Sequence, residues 1–260
     1  MSHACDLCGS PRFHQLPQDY RISICAECGF IYVSQRRSSA EIAASWAEVY
    51  SSGAYSPEWP AVAARLFYVA AWISQEIGLN GKRLLDIGAG NGRFMSEAKR
   101  RGASVFGIEP AAKGLLPEHV VARAVEDGPL GEQFDIVTIN WTLENTGDCM
   151  AMLRFAREHC KPDGWVVVAT GSRILVPFKK PLSKYLNKDI PADLHCFRWS
   201  YQSLYRAMGA AGIKLIQFNP YEECDWLVVA GKPADVHVWA GDTNPNAVLA
   251  YFDMWSKVCP

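Results

Sequence analysis

The sequence of 260 residues has little of what would assign it to a special class of protein. Its formal net charge is -1, so it has no broad field that would attract nucleic acid or an anionic membrane surface. Its longest mainly apolar stretch, residues 61–73, contains Arg65 and is too short to span a bilayer. Low-complexity segments and basic blocks are absent. We therefore expect a globular protein with no membrane span and no nucleic-acid partner.

An apolar segment typical of an export signal is also missing from the N-terminal stretch MSHACDLCGSPRF. This predicts a cytoplasmic protein. In that compartment the nine cysteines are expected to be metal ligands or free thiols and not disulfides. Apolar residues make up 49% of the chain, which is typical of a packed domain. The length suits one domain plus a small module.

Four of the cysteines form two C-x-x-C pairs separated by sixteen residues, Cys5 with Cys8 and Cys25 with Cys28. Each pair is followed by glycine, which allows the tight turn that such a pair needs. Two such turns complete a tetrahedral site of four thiolates, as in zinc ribbons. We predict one zinc ion, held by these four side chains. Closed sites of four cysteines are structural, so no chemistry is assigned to this metal.

Further along the chain, short apolar segments alternate with helical patterns, which predicts an α/β domain with a parallel sheet covered on both faces. A longer stretch without periodicity, 171–199, interrupts this alternation. The predicted organisation has four parts: a zinc ribbon at 1–37, a helical segment at 38–79, the α/β domain at 80–231 and a C-terminal tail at 232–260.

The stretch LLDIGAGNGRF, residues 84–94, indicates a strand that turns tightly into a helix. Its glycines do not have the spacing of the dinucleotide fingerprint or of the P-loop. Asp86 ends the strand, where a carboxylate would repel a pyrophosphate but suit an ammonium group. Glu109 ends the next strand, where a carboxylate can accept both hydroxyls of a ribose. The predicted ligand has a ribose, a cationic part and no phosphate, which fits S-adenosylmethionine.

With the following VFGIEP, the later FDIVTIN and the KPDGWVVVAT segment, this stretch resembles the class I S-adenosylmethionine-dependent methyltransferases over roughly residues 80–231. The resemblance implies a Rossmann-like, seven-stranded sheet with an antiparallel last strand. It also implies that the glycines approach the methionine part, that Glu109 binds the ribose, that two acids contact the adenine and that an amide faces the cofactor. In this sequence the glycines are Gly88, Gly90 and Gly92, the two acids are Glu126 and Asp127, and the amide is Asn140.

A zinc ribbon joined to such a domain resembles bacterial enzymes that methylate sugars. We therefore expect a small-molecule or glycan acceptor, with O-methylation of a sugar or a sugar-linked group in surface polysaccharide or nucleotide-sugar metabolism. Three alternatives stay open. One is an RNA methyltransferase that uses the ribbon to bind RNA, and another is a sugar C-methyltransferase. The third is a cofactor-binding partner subunit without activity of its own.

Methyl transfer to a hydroxyl needs a proton acceptor, and histidine is suited to neutral pH. His195 lies in the long connection after the fifth predicted strand of the α/β domain, at the ligand edge of such a sheet. We predict that it is the general base, with Asp193 orienting it. A second candidate is Glu144. Many family members read Glu-His at this place, but here Asn145 follows Glu144, and an amide cannot be a base.

Overall fold

A computed structural model describes the chain over 3–53, 59–111, 119–171, 181–185, 195–220, 226–235 and 244–260. Its larger sheet has seven strands in the order β10-β11-β8-β7-β4-β5-β6. Strands β4 to β8 run parallel, and β11 is antiparallel to both β8 and β10. The predicted seven-stranded sheet with an antiparallel last strand is therefore confirmed. Its strands are Arg83–Ile87 (β4), Ser104–Ile108 (β5), Val120–Val121 (β6), Phe134–Asn140 (β7), Cys160–Gly171 (β8), Ile213–Phe218 (β10) and Trp226–Pro233 (β11).

Both faces of this sheet are buried, as the apolar segments predict. Neighbouring residues of one strand, such as Leu84 and Leu85, belong to two different core clusters because side chains alternate across a sheet. Helices α2 and α3 contribute to one cluster, and α4 and α6 to the other. The helices are Ser39–Ser52 (α1), Pro60–Glu76 (α2), Arg93–Arg100 (α3), Cys149–His159 (α4), Leu182–Tyr185 (α5), Tyr201–Ala210 (α6) and Pro245–Val258 (α7).

Strand β6 is shorter than the sequence suggests. The segment HVVARA, residues 119–124, predicts a full strand, but only Val120 and Val121 pair with β5. The chain then enters a short 3-10 turn at Val125–Asp127, where the Asp127 carboxylate accepts a hydrogen bond from the Ala124 N–H. This local bond competes with continued pairing, which explains the early end of the strand.

The N-terminal residues form a second sheet in the order β1-β2-β3-β9, with strands Phe13–Leu16 (β1), Asp19–Cys25 (β2), Ile31–Val33 (β3) and Phe197–Arg198 (β9). Strand β9 comes from the connection that follows β8, so the small sheet includes residues from the predicted α/β domain. The domain boundary at residue 37 stays a prediction. Helix α7, in the tail, packs its Phe252 and Trp255 against Ile22 and Ile24 of this sheet.

No helix in the described segments is long and apolar enough to cross a membrane.

Candidate functional site

The glycine loop between β4 and α3 has the backbone that its sequence predicts. Gly88, Gly90 and Gly92 have φ values of 75°, 55° and 77°, a left-handed region that glycine adopts without steric cost. At Gly88 the space is also limited, because a Cβ there would lie 2.4 Å from the Thr142 side chain. The Gly92 residue caps α3. The loop therefore brings bare backbone close to the end of β7.

A cavity of about 300 Å³ opens over this loop. One wall is the carboxyl edge of the sheet, which contributes Asp86, Gly88, Gly90, Glu109, Glu126 and Asn140. The opposite wall comes from helices α1 and α2 and from the residue after β7, and it contributes Ser39, Trp46, Tyr50, Arg65, Leu66 and Trp141. Such a mostly apolar cleft with a few converging polar groups is typical of a small-ligand site.

The two acids at the strand ends are both buried, and each is held by hydrogen bonds. The Asp86 carboxylate accepts from the Thr138 hydroxyl at 2.8 Å and from the Asn140 amide at 3.0 Å. Burial raises the pKa of the Asp86 carboxyl to about 7, although these two hydrogen bonds act to lower it. The Glu109 carboxylate accepts from the backbone N–H groups of Gly90 and Ala111, while burial raises its pKa.

The Asn140 side chain lines the cavity, and its buried Oδ1 has no hydrogen-bond partner among the described residues. Glu126 also lines the cavity and accepts a 2.6 Å hydrogen bond from the Ser39 hydroxyl at the start of α1. Asp127 is exposed, closes the turn through Ala124 and is not among the cavity-lining residues. The structure thus brings Glu126 to the cavity and leaves the predicted adenine contact of Asp127 without direct support.

The two predicted bases lie on segments that are hydrogen-bonded to each other. Glu144 is buried, and its carbonyl oxygen accepts from the backbone N–H groups of Cys196 and Phe197, directly after His195. His195 is half-buried, and neither it nor Glu144 is among the cavity-lining residues. Asp193, which we expected to orient His195, lies outside the described residues. The roles of His195 and Glu144 stay predictions.

The other described histidines are not on the cavity wall either. His159 is buried at the end of α4, where its Nε2 accepts from the Leu130 N–H at 2.8 Å and its Nδ1 lies 2.7 Å from the Phe155 carbonyl oxygen. This arrangement fits a neutral, structural imidazole. His237 lies outside the described residues.

Of the opposite wall, the sequence suggests only Tyr50, which belongs to an aromatic run that could close over the cofactor. Trp141 directly follows β7 and has φ of 51°, which is rare for a bulky residue and is found at functional sites. The Arg65 guanidinium carbon lies 4.5 Å from the centre of the Trp141 ring. Arg65 was visible as the one charge in an otherwise apolar stretch of helix. Its partner is 76 residues away in the sequence, so no local pattern connects the two.

The four predicted zinc ligands also come together. The sulfur atoms of all four cysteines lie within 4.8 Å of one another. Cys5 and Cys28 are 3.6 Å apart, and Cys8 and Cys25 are 3.5 Å apart. Four sulfurs around one tetrahedral zinc ion would stand about 3.8 Å apart, given Zn–S bonds of about 2.3 Å. Gly9 and Gly29, after the two pairs, have φ of 73° and 68°. The cluster fits a zinc ion.

The sheet order, the glycine turn and the acid at the end of the neighbouring strand define an α/β enzyme of the nucleotide-cofactor class. Residues 62–217 match the methyltransferase domain family, and the chain belongs to that family. It is an S-adenosylmethionine-dependent methyltransferase.

Two relatives carry the same name. A ubiquinone biosynthesis O-methyltransferase of Azorhizobium caulinodans is 29% identical over 188 residues, which cover 60% of this chain and 73% of that protein. The protein of that name from Pseudomonas fluorescens is 30% identical over 143 residues, covering 49% of this chain and 61% of that protein. A crystal structure of Burkholderia thailandensis 1,6-didemethyltoxoflavin-N1-methyltransferase shares the fold, with a TM-score of 0.59 at 17% identity, covering 86% of this chain and 100% of that chain.

Proposed function

We propose that the protein transfers a methyl group to a hydroxyl of a small acceptor, with S-adenosylmethionine bound over the glycine loop. The cavity between Gly88 and Trp141 is the main support, because one wall has cofactor-binding chemistry and the other offers apolar and aromatic surface. The cofactor supplies an already activated methyl group, so the protein mainly has to align the acceptor and take up a proton.

Each polar part of the cofactor has a partner of suitable chemistry on the sheet wall. Asp86 carries the charge that suits the ammonium group, and Asn140 Oδ1 is an acceptor beside it. Glu109 can accept the two ribose hydroxyls, as carboxylates at this position do in nucleotide-binding sheets. Glu126 lies on the adenine side. Arg65, across the cavity, is a cation suited to the carboxylate of the amino-acid part.

The acceptor would then lie against α1, α2 and Trp141. Two classes of hydroxyl are supported by different observations. The N-terminal cysteine module resembles that of sugar-methylating enzymes, which favours a sugar or a sugar-linked group. The aromatic wall of Trp46, Tyr50 and Trp141, and the names of the two relatives, favour a phenolic ring.

The two classes make different demands on a base. A phenol has a pKa near 10 and can lose its proton with little help, whereas a sugar hydroxyl is much less acidic and needs a positioned base. His195 and Glu144 are the candidates, although neither is among the cavity-lining residues. A positioned base contributes about 100- to 10,000-fold in rate. His195→Ala should therefore abolish most turnover of a sugar but little turnover of a phenol.

The experiment uses S-adenosylmethionine with a deuterated methyl group and a panel of nucleotide-linked sugars, catechols, small amines and single-stranded RNA. We expect the mass increase on a hydroxyl of a sugar or a catechol. Labelling of RNA, of a ring carbon or only of amines would contradict the proposal. The RNA alternative is not favoured, because α7 covers the face of the small sheet that is turned away from the main core. C-methylation is not favoured by the relatives, which are O-methyltransferases by name.

We further propose that the cysteine cluster holds one structural zinc ion, in keeping with a cytoplasmic location where thiols stay reduced. Elemental analysis should find one zinc per chain in the wild type and none in Cys8→Ser. Cys259→Ser is the matched control, because Cys259 lies outside the cluster. Full zinc content in Cys8→Ser, or none in the wild type, would contradict this assignment.

A further inference from the structure

A buried arginine connects the cysteine module to the rim of the cavity. The Arg36 side chain is only 2% exposed, and its Nη1 lies 2.9 Å from Asp6 Oδ1, which is itself 11% exposed. The same nitrogen donates to the Gly147 carbonyl oxygen at 3.2 Å. The guanidinium carbon lies 4.8 Å from the centre of the Phe197 ring. One side chain therefore touches three separate parts of the chain.

Each of the three contacts lies next to a group with a predicted role. Asp6 stands between Cys5 and Cys8, inside the first cysteine turn. Gly147 lines the cavity, at the end of the loop that follows β7. Phe197 belongs to β9, two residues after His195. Arg36 thus joins the module to the cavity-lining loop 142–148 and to the segment 195–198, which is hydrogen-bonded to that loop.

The contact at Gly147 is tight enough to transmit a displacement. A Cβ on Gly147 would lie 3.0 Å from the Ser39 hydroxyl and 3.3 Å from the Ser39 backbone nitrogen. Ser39 lines the cavity as well and donates to Glu126. If the loop moved at Gly147, the start of α1 and the adenine side of the cavity would have to move with it.

Burial makes the ion pair costly to break, because a charge left alone in a low-dielectric site keeps its desolvation penalty. The planar guanidinium serves all three partners at once, because its Nη1 donates to both Asp6 and Gly147 while its flat face lies over the Phe197 ring. A lysine has a compact charge and no flat face, so it can keep the ion pair but not all three contacts. The chemistry of the junction is therefore specific for arginine.

We propose that Arg36 is a positioning residue: anchored by Asp6 of the first cysteine turn, it holds the loop 142–148 in place at the edge of the cavity, together with the segment 195–198 that is hydrogen-bonded to this loop. This inference rests on the proposed function for the identity of that edge. It makes the N-terminal module a structural part of the methyltransferase site and not an independent appendage.

The test compares Arg36→Gln with Arg21→Gln by hydrogen–deuterium exchange, with S-adenosylhomocysteine as the probe ligand. Arg21 lies in the same module and pairs with Asp19 at 2.8 Å. Its ion pair therefore involves neither the loop 142–148 nor β9. We expect peptides covering 142–148 and 195–198 to exchange at least about 10-fold faster in Arg36→Gln and unchanged in Arg21→Gln. Peptides covering β1 and β2 should be unchanged in Arg36→Gln.

Two further variants separate positioning from general stability. Arg36→Lys should restore part of the protection in 142–148, because it keeps the charge opposite Asp6. Asp6→Asn should reproduce the Arg36→Gln effect, and the double variant should be no worse than either single one, since the two residues act as a unit. With an acceptor found among the sugars and catechols of the labelling experiment, Arg36→Gln should lower kcat at least about 10-fold. Its affinity for S-adenosylhomocysteine should change less than threefold.

The inference is overturned by unchanged exchange in 142–148 and 195–198 in Arg36→Gln, or by faster exchange in β1 and β2, which would make Arg36 a stabiliser of the module itself. Additive effects of Asp6→Asn and Arg36→Gln would also overturn it. A wild-type protein that binds no S-adenosylhomocysteine would instead contradict the proposed function, while the ligand-free exchange comparison would still test Arg36.

Discussion

The two walls of the cavity are built in different ways. The sheet wall takes its polar groups from the ends of three neighbouring parallel strands, with Asp86 in β4 one residue before its end, Glu109 directly after β5 and Asn140 at the end of β7. The helical wall joins Tyr50 of α1, Arg65 of α2 and Trp141, which are distant in sequence and meet only in the folded chain. The first wall has buried charges and hydrogen bonds, and the second has aromatic faces and one cation.

This difference suggests that the two walls have different roles in binding. The sheet wall is fixed by backbone geometry, because the glycine loop and the strand ends cannot move without disturbing the core. The helical wall depends on side chains that other sequences can replace without changing the fold. Substitutions on the first wall should therefore change the affinity for cofactor, and substitutions of the aromatic residues on the second should change the use of the acceptor.

The largest effect is expected at the glycine loop. Gly88→Ala would place a Cβ 2.4 Å from Thr142, and we expect a loss of about 100-fold in affinity for S-adenosylhomocysteine, since overpacking costs about 1 to 3 kcal/mol and shifts the loop. Gly131→Ala is the control, because Gly131 has the same φ of 75° and no atom within 4 Å of its Cβ position. Calorimetry that finds equal affinities in the two variants would remove the loop from the cofactor site.

A smaller loss is expected at Glu109. Hydrogen bonds to a charged group are worth about 1.5 to 3 kcal/mol, so Glu109→Gln should weaken binding of S-adenosylhomocysteine about 10- to 100-fold. Glu132→Gln, which affects only an exposed ion pair with Arg83, should leave affinity unchanged. The ribose assignment fails if adenosine alone binds both variants equally well.

The third effect is a pH dependence that comes from Asp86. Burial raises the pKa of its carboxyl to about 7, and only the ionised form attracts an ammonium group. For a pKa of about 7 the ionised fraction rises from about 3% at pH 5.5 to about half at pH 7. Affinity for S-adenosylhomocysteine should therefore rise about 10-fold over that interval and should fall as the pH is lowered.

Asp86→Asn is the matched variant for this dependence, because it keeps the shape and removes the titration. A wild-type affinity that is independent of pH between 5.5 and 7 would contradict the ammonium contact. In the absence of ligand, the free energy of unfolding changes with pH in the opposite direction to the ligand affinity. The folded state binds the Asp86 proton more tightly than the unfolded state, so this group lowers the free energy of unfolding as the pH rises from about 4 to about 7.

The smallest effect is expected on the helical wall. Trp141→Ala should raise the KM for the acceptor about 2- to 10-fold, since an aromatic contact is worth about 0.5 to 1.5 kcal/mol, and should leave affinity for S-adenosylhomocysteine within about twofold. Trp165→Ala is the control, because Trp165 also carries a cation over its ring, Lys232 at 4.7 Å, but does not line the cavity. Weaker cofactor binding in Trp141→Ala would show that the two walls are not separable.

The sequence was sufficient for the parts of the molecule that depend on short-range patterns. The glycine loop, Asp86 and Glu109 could be predicted because one turn and two strand ends place them. The cysteine cluster could be predicted for the same reason, since each C-x-x-C turn is local. The seven-stranded sheet followed from alternating elements and from the family resemblance.

The remaining features depend on contacts that no local pattern encodes. The pairing of β9 with β3 joins residues 31–32 to 197–198, and the Arg36 ion pair reaches across 30 residues to Asp6 and 111 residues to Gly147. His195 was predicted from the ligand edge of the sheet, and it is not among the cavity-lining residues, so its role stays a prediction. Burial and topology, which the sequence does not show directly, decide these positions.

The most direct test of the cofactor site is hydrogen–deuterium exchange of the wild-type protein with and without S-adenosylhomocysteine. We predict slower exchange in peptides covering 84–94, 105–111 and 120–128, and no change in the peptide covering β1 and β2. Protection confined to the N-terminal module, or no protection in the glycine loop at saturating ligand, would contradict a cofactor site over Gly88, Gly90 and Glu109.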